Sequence, residues 1–274
     1  MKIIKSSFLN LFGVLLLFLL FTSCNNNEQW KFNKEIKLND IQPIGIVYDK
    51  GNLYLSDVKN NRLVQVDLDG NIIKEYDSLQ RPMHFSINDG KIYVPEYLTD
   101  KIKILFAGKT ENLALLDTLN APSGVDVNGS DIAVADFYNH RIILQIKGKS
   151  TPIGKEGHGK GELYYPTDVE IFNDKIYVAD AYNNRVQVFN KQGESLQIIG
   201  DKDSINTATG IAITDKNIFS TDFENNRILI YDHLGKRIQI LTEKLNQPTD
   251  IFISGNTMYV ANYKGQSVVV FEKQ

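Results

Sequence analysis

One phrase recurs along this 274-residue chain and limits the folds open to it: an apolar strand ending in Asp, an Asn-rich turn, then Arg opening another apolar strand. It reads Leu53-Tyr54-Leu55-Ser56-Asp57 with Asn60-Asn61-Arg62, and returns at Asp136 with Asn139-His140-Arg141. Further copies carry Asp180 with Asn183-Asn184-Arg185, and Asp222 with Asn225-Asn226-Arg227. Two weaker copies place Glu96 before Lys101 and Asn262 before Ser267. The steps between the acidic or equivalent positions run from 39 to 44 residues and average 41. Six such units account for residues 28–274 and leave no room for a second domain.

Each unit reads as four strands. The first begins near Pro43, Pro82, Pro122, Pro166 or Pro248, with Ala208 in the fifth unit. The second ends at the acid and the third starts at the Arg. A turn then carries Gly70, Gly108, Gly148, Gly193 or Gly235, a residue that tolerates the positive φ of hairpins. The fourth strand is poor in the third unit, near Thr151-Pro152-Ile153. Four-stranded units at this spacing are propeller blades. The expected fold is all-β, a six-bladed β-propeller. The sixth unit lacks a fourth strand at the C-terminus, whereas Trp30, Phe32, Ile36 and Leu38 form an unclaimed alternating segment. That N-terminal segment is expected to pair outside the last blade and close the ring.

In four of the six units an Asp and an Arg flank one hairpin, in the pairs Asp57 and Arg62, Asp136 and Arg141, Asp180 and Arg185, and Asp222 and Arg227. Opposite charges facing across strands contribute about 0.2–1 kcal/mol. They are expected to make the fold rather than the chemistry, and the Asn residues between them suit left-handed backbone.

Residues 1–23 read as an export signal: Lys2 and Lys5, then an apolar run from Phe8 to Phe21. That run is shorter than the roughly 20 residues of a membrane span. Cys24, the only cysteine, follows Phe21-Thr22-Ser23 and resembles the acylated Cys of a bacterial lipobox. Residues 24–29 would then be the lipidated Cys and a short tether, and residues 30–274 the propeller. The chain is expected to be exported and lipid-anchored to the cell envelope, at the outer membrane. A lone Cys excludes disulfides and C-x-x-C metal sites from the folded body. The net charge of -3 offers no basic excess for a nucleic acid.

The repeats resemble the NHL repeat family. All six units carry the likeness, four of them with the full Asp, Asn-(Asn/His), Arg phrase, and the Gly-rich stretch 154–163 before Pro166 is similar to an inter-blade linker of that family. The resemblance implies NHL-like four-stranded blades that serve as platforms for protein or other ligands. Architectural relatives include metal-dependent lyases and lactonases.

Propeller architecture places the loop before each first strand and the turn between the second and third strands on one face. Two positions after each opening Pro or Ala208 stand Gly45, His84, Gly124, Asp168, Gly210 and Asp250. His84, Asp168 and Asp250 would ring the channel mouth from alternate blades, where one imidazole and two carboxylates suit a divalent cation. The simpler reading is that Pro-Thr-Asp-Val, found at Pro166, and its relative at Pro248 are repeat variants whose Asp bonds local backbone. The other histidines, His140, His158 and His233, fall in a turn, the linker and an outer turn, away from the lyase pattern of several His around zinc. Neither a Gly-x-Ser-x-Gly elbow nor Walker spacing occurs.

Just after the acidic positions lie Tyr97, Phe137, Phe223 and Tyr263, with Tyr138 and Tyr182 one place later. Aromatics with Asn and Arg suit glycan or peptide contacts, or pack between blades. The leading expectation is a monomeric, non-catalytic platform, tethered to a membrane through Cys24, that binds an envelope protein or saccharide. The alternatives are a metal-dependent hydrolase or lyase at the channel mouth, and a structural subunit of an outer-membrane complex.

Overall fold

In the computed structural model, which describes residues 28–274, each repeat is a four-stranded antiparallel sheet and six such sheets form the ring. Cys24 and the segment 1–27 lie outside the described residues. The first strand, β1 (Trp30–Lys37), belongs to the last blade. Blade 1 comprises β2 (Pro43–Asp49), β3 (Asn52–Asp57), β4 (Arg62–Val66) and β5 (Ile72–Tyr76). Blade 2 comprises β6 (Ser86–Asn88), β7 (Lys91–Glu96), β8 (Lys101–Phe106) and β9 (Lys109–Asn112). Blade 3 comprises β10 (Pro122–Asn128), β11 (Asp131–Asp136), β12 (Arg141–Ile146) and β13 (Lys149–Ile153). Blade 4 comprises β14 (Pro166–Phe172), β15 (Lys175–Asp180), β16 (Arg185–Asn190) and β17 (Ser195–Ile199). Blade 5 comprises β18 (Ile211–Ile213), β19 (Ile218–Asp222), β20 (Arg227–Tyr231) and β21 (Arg237–Leu241). Blade 6 comprises β22 (Pro248–Ser254), β23 (Thr257–Asn262) and β24 (Ser267–Lys273), completed by β1 against β24.

The third unit's outer strand, poor by sequence, does form. As an outermost strand β13 needs only one partner, β12, so Pro152 and its polar neighbours are tolerated there. The apolar faces of neighbouring blades pack together. Phe219, Ile228 and Ile230 of blade 5 meet Ile251, Val260 and Val269 of blade 6, and Trp30 sets its ring edge-on to Phe219 at 5.8 Å.

The recurring phrase proves to be a set of backbone clasps. The carboxylates of Asp57, Asp136, Asp180 and Asp222 are wholly buried, so they are more than facing surface charges. Each accepts a backbone N–H from the loop before its own blade: Gln42, Asn120, Tyr164 and Asn206 respectively. Glu96 and the Asn262 side-chain oxygen do the same for Gln80 and Asn246. The following Arg donates its Nε to the acid at 2.6–2.9 Å. The first turn Asn also donates to the acid.

The second turn position acts between blades. Asn61, Asp100, His140, Asn184 and Asn226 adopt left-handed backbone. Their side chains accept the N–H of Arg81, Ala121, Tyr165, Thr207 and Gln247, each the residue before the next blade's opening Pro or Ala208. His140 fills an Asn's place because its Nδ1 can accept the same hydrogen bond. Where the phrase weakens, the pairing weakens too. Glu96 has only the distant Lys103, at 4.0 Å, and in blade 6 neutral Asn262 donates to the Ser267 hydroxyl.

Candidate functional sites in the channel and on the aromatic face

The innermost strands leave a central cavity of about 530 Å³. A first strand presents one edge to its own blade and the other to a neighbour, where unpaired N–H groups need acceptors. Between blades 2 and 3 the backbones meet directly: His84 N–H donates to Ser123 O, and Val125 N–H to His84 O, both at 3.1 Å. At the seams between blades 3 and 4, 4 and 5, and 6 and 1, carboxylates take that role. Asp168 accepts from Ile211 at 3.0 Å and Asp250 from Ile46 at 2.8 Å, each also holding the N–H of its own next residue. Two residues deeper, Asp126 accepts from Ile171 and Glu170 from Ile213.

The glycines at the alternate blades follow from the same closeness. A Cβ on Gly124 would stand 2.8 Å from Thr167 O and 2.9 Å from Asp168 Cα, so no larger residue fits opposite an Asp.

His84, Asp168 and Asp250 do come together, with one donor atom from each within 4.8 Å of the others. They do not stand at an open mouth. All three are buried, and the cavity lining starts at their level and runs toward Asp49, Asn88, Asn128 and Phe172, away from the turns. On the turn side the ring is drawn shut by hydroxyls: Ser123 donates to Pro166 O, Thr167 to Thr209 O and Thr249 to Pro43 O. The trio is therefore the inner end of a channel that leads to the opposite face.

Local backbone bonding accounts for the two carboxylates but not for the imidazole. His84 Nδ1 is buried without a hydrogen-bond partner, 3.6 Å from Asp250 Oδ2. A buried unpaired donor or acceptor costs about 1–3 kcal/mol. The donor set of one nitrogen and two carboxylate oxygens fits a borderline divalent cation at bonds of about 2.0–2.2 Å.

The channel carries more acid than the sequence reading identified. Asp126 and Glu170 line it with the trio, and among the described residues His84 is the only basic side chain in the lining. Burial pushes the Asp126 carboxyl up to about 6. Burial, then the nearby Asp126 and Asp168, raises Glu170 well above the carboxylate range. Burial also raises Asp168, with Asp250 adding to the effect and His84 opposing it. Burial alone would depress the His84 imidazole, but Asp168 and Asp250 overcome it and hold the proton more tightly than usual.

All four shifts have the same consequence. A folded state that binds protons more tightly than the unfolded chain is stabilised at low pH, and this stability is lost as pH rises through the folded values. Residues 28–274 should therefore melt a few degrees higher at about pH 5 than at about pH 8, with Asp126 titrating near the middle of that window. The gain should shrink in Asp126→Asn/Glu170→Gln. A melting temperature that instead falls across this range would count against a protonated channel.

On the turn face, the turns and the loops before the first strands are hydrogen-bonded together, as in Tyr138 N–H to Asn120 O and Tyr182 N–H to Tyr164 O. This brings Tyr97, Phe137, Tyr138 and Tyr182 into one aromatic surface across blades 2 to 4. Tyr97 meets both Phe137 and Tyr138 at 5.8 Å. Tyr165, which the sequence reading passed over, is the keystone: its ring lies 4.9 Å from Phe137 and 5.1 Å from Tyr182. Tyr164 joins it at 4.6 Å and stacks on His140. Tyr138 and Tyr182 remain 48% and 57% exposed, and the Arg81 guanidinium lies over Tyr97. Phe223 and Tyr263 form a separate pair on blades 5 and 6, at 6.2 Å.

The fold and its sites define a six-bladed β-propeller containing an NHL repeat. The family profile of the NHL repeat matches residues 163–189, a span that includes Asp180 and Arg185. No curated protein sequence matches the chain. Among solved structures, virginiamycin B lyase from Staphylococcus aureus, in an inactive form with quinupristin, is similar at 21% identity, over 89% of this chain and 88% of that one, with a TM-score of 0.65. A streptogramin B lyase is 15% identical over 90% and 99%, with a TM-score of 0.66. A gluconolactonase from Xanthomonas campestris is 12% identical over 91% of each chain, with a TM-score of 0.72. At these identities the likeness is one of fold.

Proposed function

We propose that this chain is an exported, membrane-anchored binding protein whose propeller takes an extended saccharide on its aromatic face. The observation that carries this reading is the continuous surface from Tyr97 through Phe137, Tyr138 and Tyr165 to Tyr182, with two rings half in solvent. Tyrosine rings stack on the apolar faces of sugars, while their hydroxyls and the neighbouring Arg81 guanidinium satisfy sugar hydroxyls. The rings are held by the loop clasps before any ligand arrives, which lowers the ordering cost of binding. A screen of residues 28–274 against bacterial and host glycans should find a ligand. Tyr138→Ala/Tyr182→Ala should weaken it by about five- to a hundredfold, as expected for two stacking contacts of about 0.5–1.5 kcal/mol each. Binding to peptides but to no glycan would shift the reading to a protein partner.

A second reading is favoured by the unpartnered His84. It makes His84, Asp168 and Asp250 the holders of a divalent cation, which when bound would polarise a carbonyl or activate a water for a lyase or hydrolase. The fold likeness to lyases and a gluconolactonase supports it at the level of architecture. Elemental analysis of residues 28–274 should then find about one divalent ion per chain, lost in His84→Ala. A metal-free protein whose melting temperature ignores both chelator and added cations would remove this reading.

A further inference from the structure

The route of the chain into the ring determines which face meets the membrane. β24 starts at the turn face, where Ser267 closes the hairpin from Asn262, and ends at Lys273 on the far face, roughly 20 Å away. Because β1 runs antiparallel to it, Lys37 pairs with Ser267 on the turn face, and Trp30 pairs with Lys273 on the far face. The start of the described chain is fastened there. Gln29 and Gln274 exchange backbone hydrogen bonds at 2.9 Å, and Glu28 forms ion pairs with Lys273 and with Lys216, the latter in a far-face turn of blade 5. The channel opens on this same face.

The far face also carries apolar tips. Leu234, in the hairpin between β20 and β21, is 88% exposed, and Phe106, at the end of β8, is half exposed. They belong to blades 5 and 2, which stand opposite each other in a six-blade ring, so they straddle the channel mouth. Lys109, Lys147 and Lys149 stand exposed on the adjoining hairpins of blades 2 and 3. Exposed Asp69, Asp89, Asp174 and Asp215 on the same face balance these lysines, so it is the apolar tips that suit the headgroup boundary of a bilayer.

We propose that the far face lies against the bilayer that holds the anchor, so that the channel opens toward the lipid and the aromatic face points away from it. The inference rests on the reading of Cys24 as an acylated anchor. From Cys24 to Glu28 is four residues, a reach of at most about 14 Å, too short to carry the chain round the blade to the turn face.

The test uses the full chain, made in a bacterial host and reconstituted into vesicles containing spin-labelled lipid. Single Cys reporters carrying an environment-sensitive dye are placed at Leu234→Cys and Phe106→Cys on the far face, and at Leu98→Cys, a 61% exposed apolar position on the turn face. All three sit on exposed turns or strand ends. The dyes at 234 and 106 should shift to the blue and be quenched several-fold more than the dye at 98. Quenching that is equal on the two faces, or stronger at 98, would overturn the orientation while leaving the anchor intact. The unsubstituted chain tests the anchor itself. An acylated Cys24 takes no dye and the protein floats with the vesicles. Labelling at Cys24 together with failure to float would remove the anchor, and the proposal with it.

Discussion

Asp180→Ala is expected to cost about 3–5 kcal/mol of stability and to lower the Tm of residues 28–274 by roughly 10 °C. The carboxylate is wholly buried and receives the Tyr164 N–H, the Asn183 and Gln187 amides and the Arg185 Nε. Its removal leaves four donors in a dry site, one of them charged. Arg185 is also the frame of the glycine-rich stretch, since its terminal nitrogens donate to the carbonyls of His158, Gly159 and Glu162. That stretch leads directly into Tyr164 and Tyr165, so the variant should also loosen the centre of the aromatic face. The protein contains its own control for this argument. Blade 6 makes the equivalent closure with Asn262 and Ser267 and without charge. Asp180→Asn/Arg185→Ser should therefore be less damaging than Asp180→Ala alone, because it leaves no buried charge unpaired. Urea unfolding of the three proteins decides the matter. Equal losses in both variants would mean that the ion pair, rather than the hydrogen-bond node, holds the turn.

Gly210→Ala is the second large effect, expected at about 3 kcal/mol. The added methyl would run into the Thr249 carbonyl oxygen and stand 2.7 Å from Asp250 Cα. Both are backbone atoms of an inner strand, which cannot step aside as a flexible side chain would. Blade 6 must move outward, and the Asp250 bond to Ile46 that joins the last blade to the first stretches with it. Ring closure depends on that bond and on Thr249 reaching Pro43 O. The substitution should accordingly steepen the loss of structure at the blade 1 and blade 6 edges, measurable by hydrogen exchange at Ile46. A change within about 0.5 kcal/mol would show that the inner ring has slack.

The fold was legible because each residue of the repeated phrase has one backbone duty that recurs around the ring. Asp takes the loop N–H, the first Asn and Arg complete its shell, and the second Asn reaches the next blade. Even the exception was readable, since His140 stands in an Asn position whose duty is to accept one hydrogen bond. The closing strand was legible from the same count, because a sixth unit without an outer strand required one from elsewhere.

The sites were less legible, for reasons that differ. Asp126 and Glu170 occupy the next inward-facing position of strands whose earlier positions had been singled out, and following the alternation two residues further would have found them. Tyr164 and Tyr165 gave no periodic signal, since only one of the six units carries tyrosines before its opening Pro. Their importance arises from packing between blades. The closed turn-side end of the channel also escaped the sequence, because Ser123, Thr167 and Thr249 read as ordinary strand residues until their hydroxyls are seen to bridge blades.

The proposed saccharide is taken on the aromatic face and not in the channel. The most direct test is calorimetric titration of the best glycan from the screen into residues 28–274, Tyr138→Ala/Tyr182→Ala, and His84→Ala. The expected result is a loss of affinity of about five- to a hundredfold in the tyrosine variant and an unchanged affinity in His84→Ala. The reverse pattern, with binding lost in His84→Ala and kept without the two tyrosines, would contradict it and place the working site in the channel.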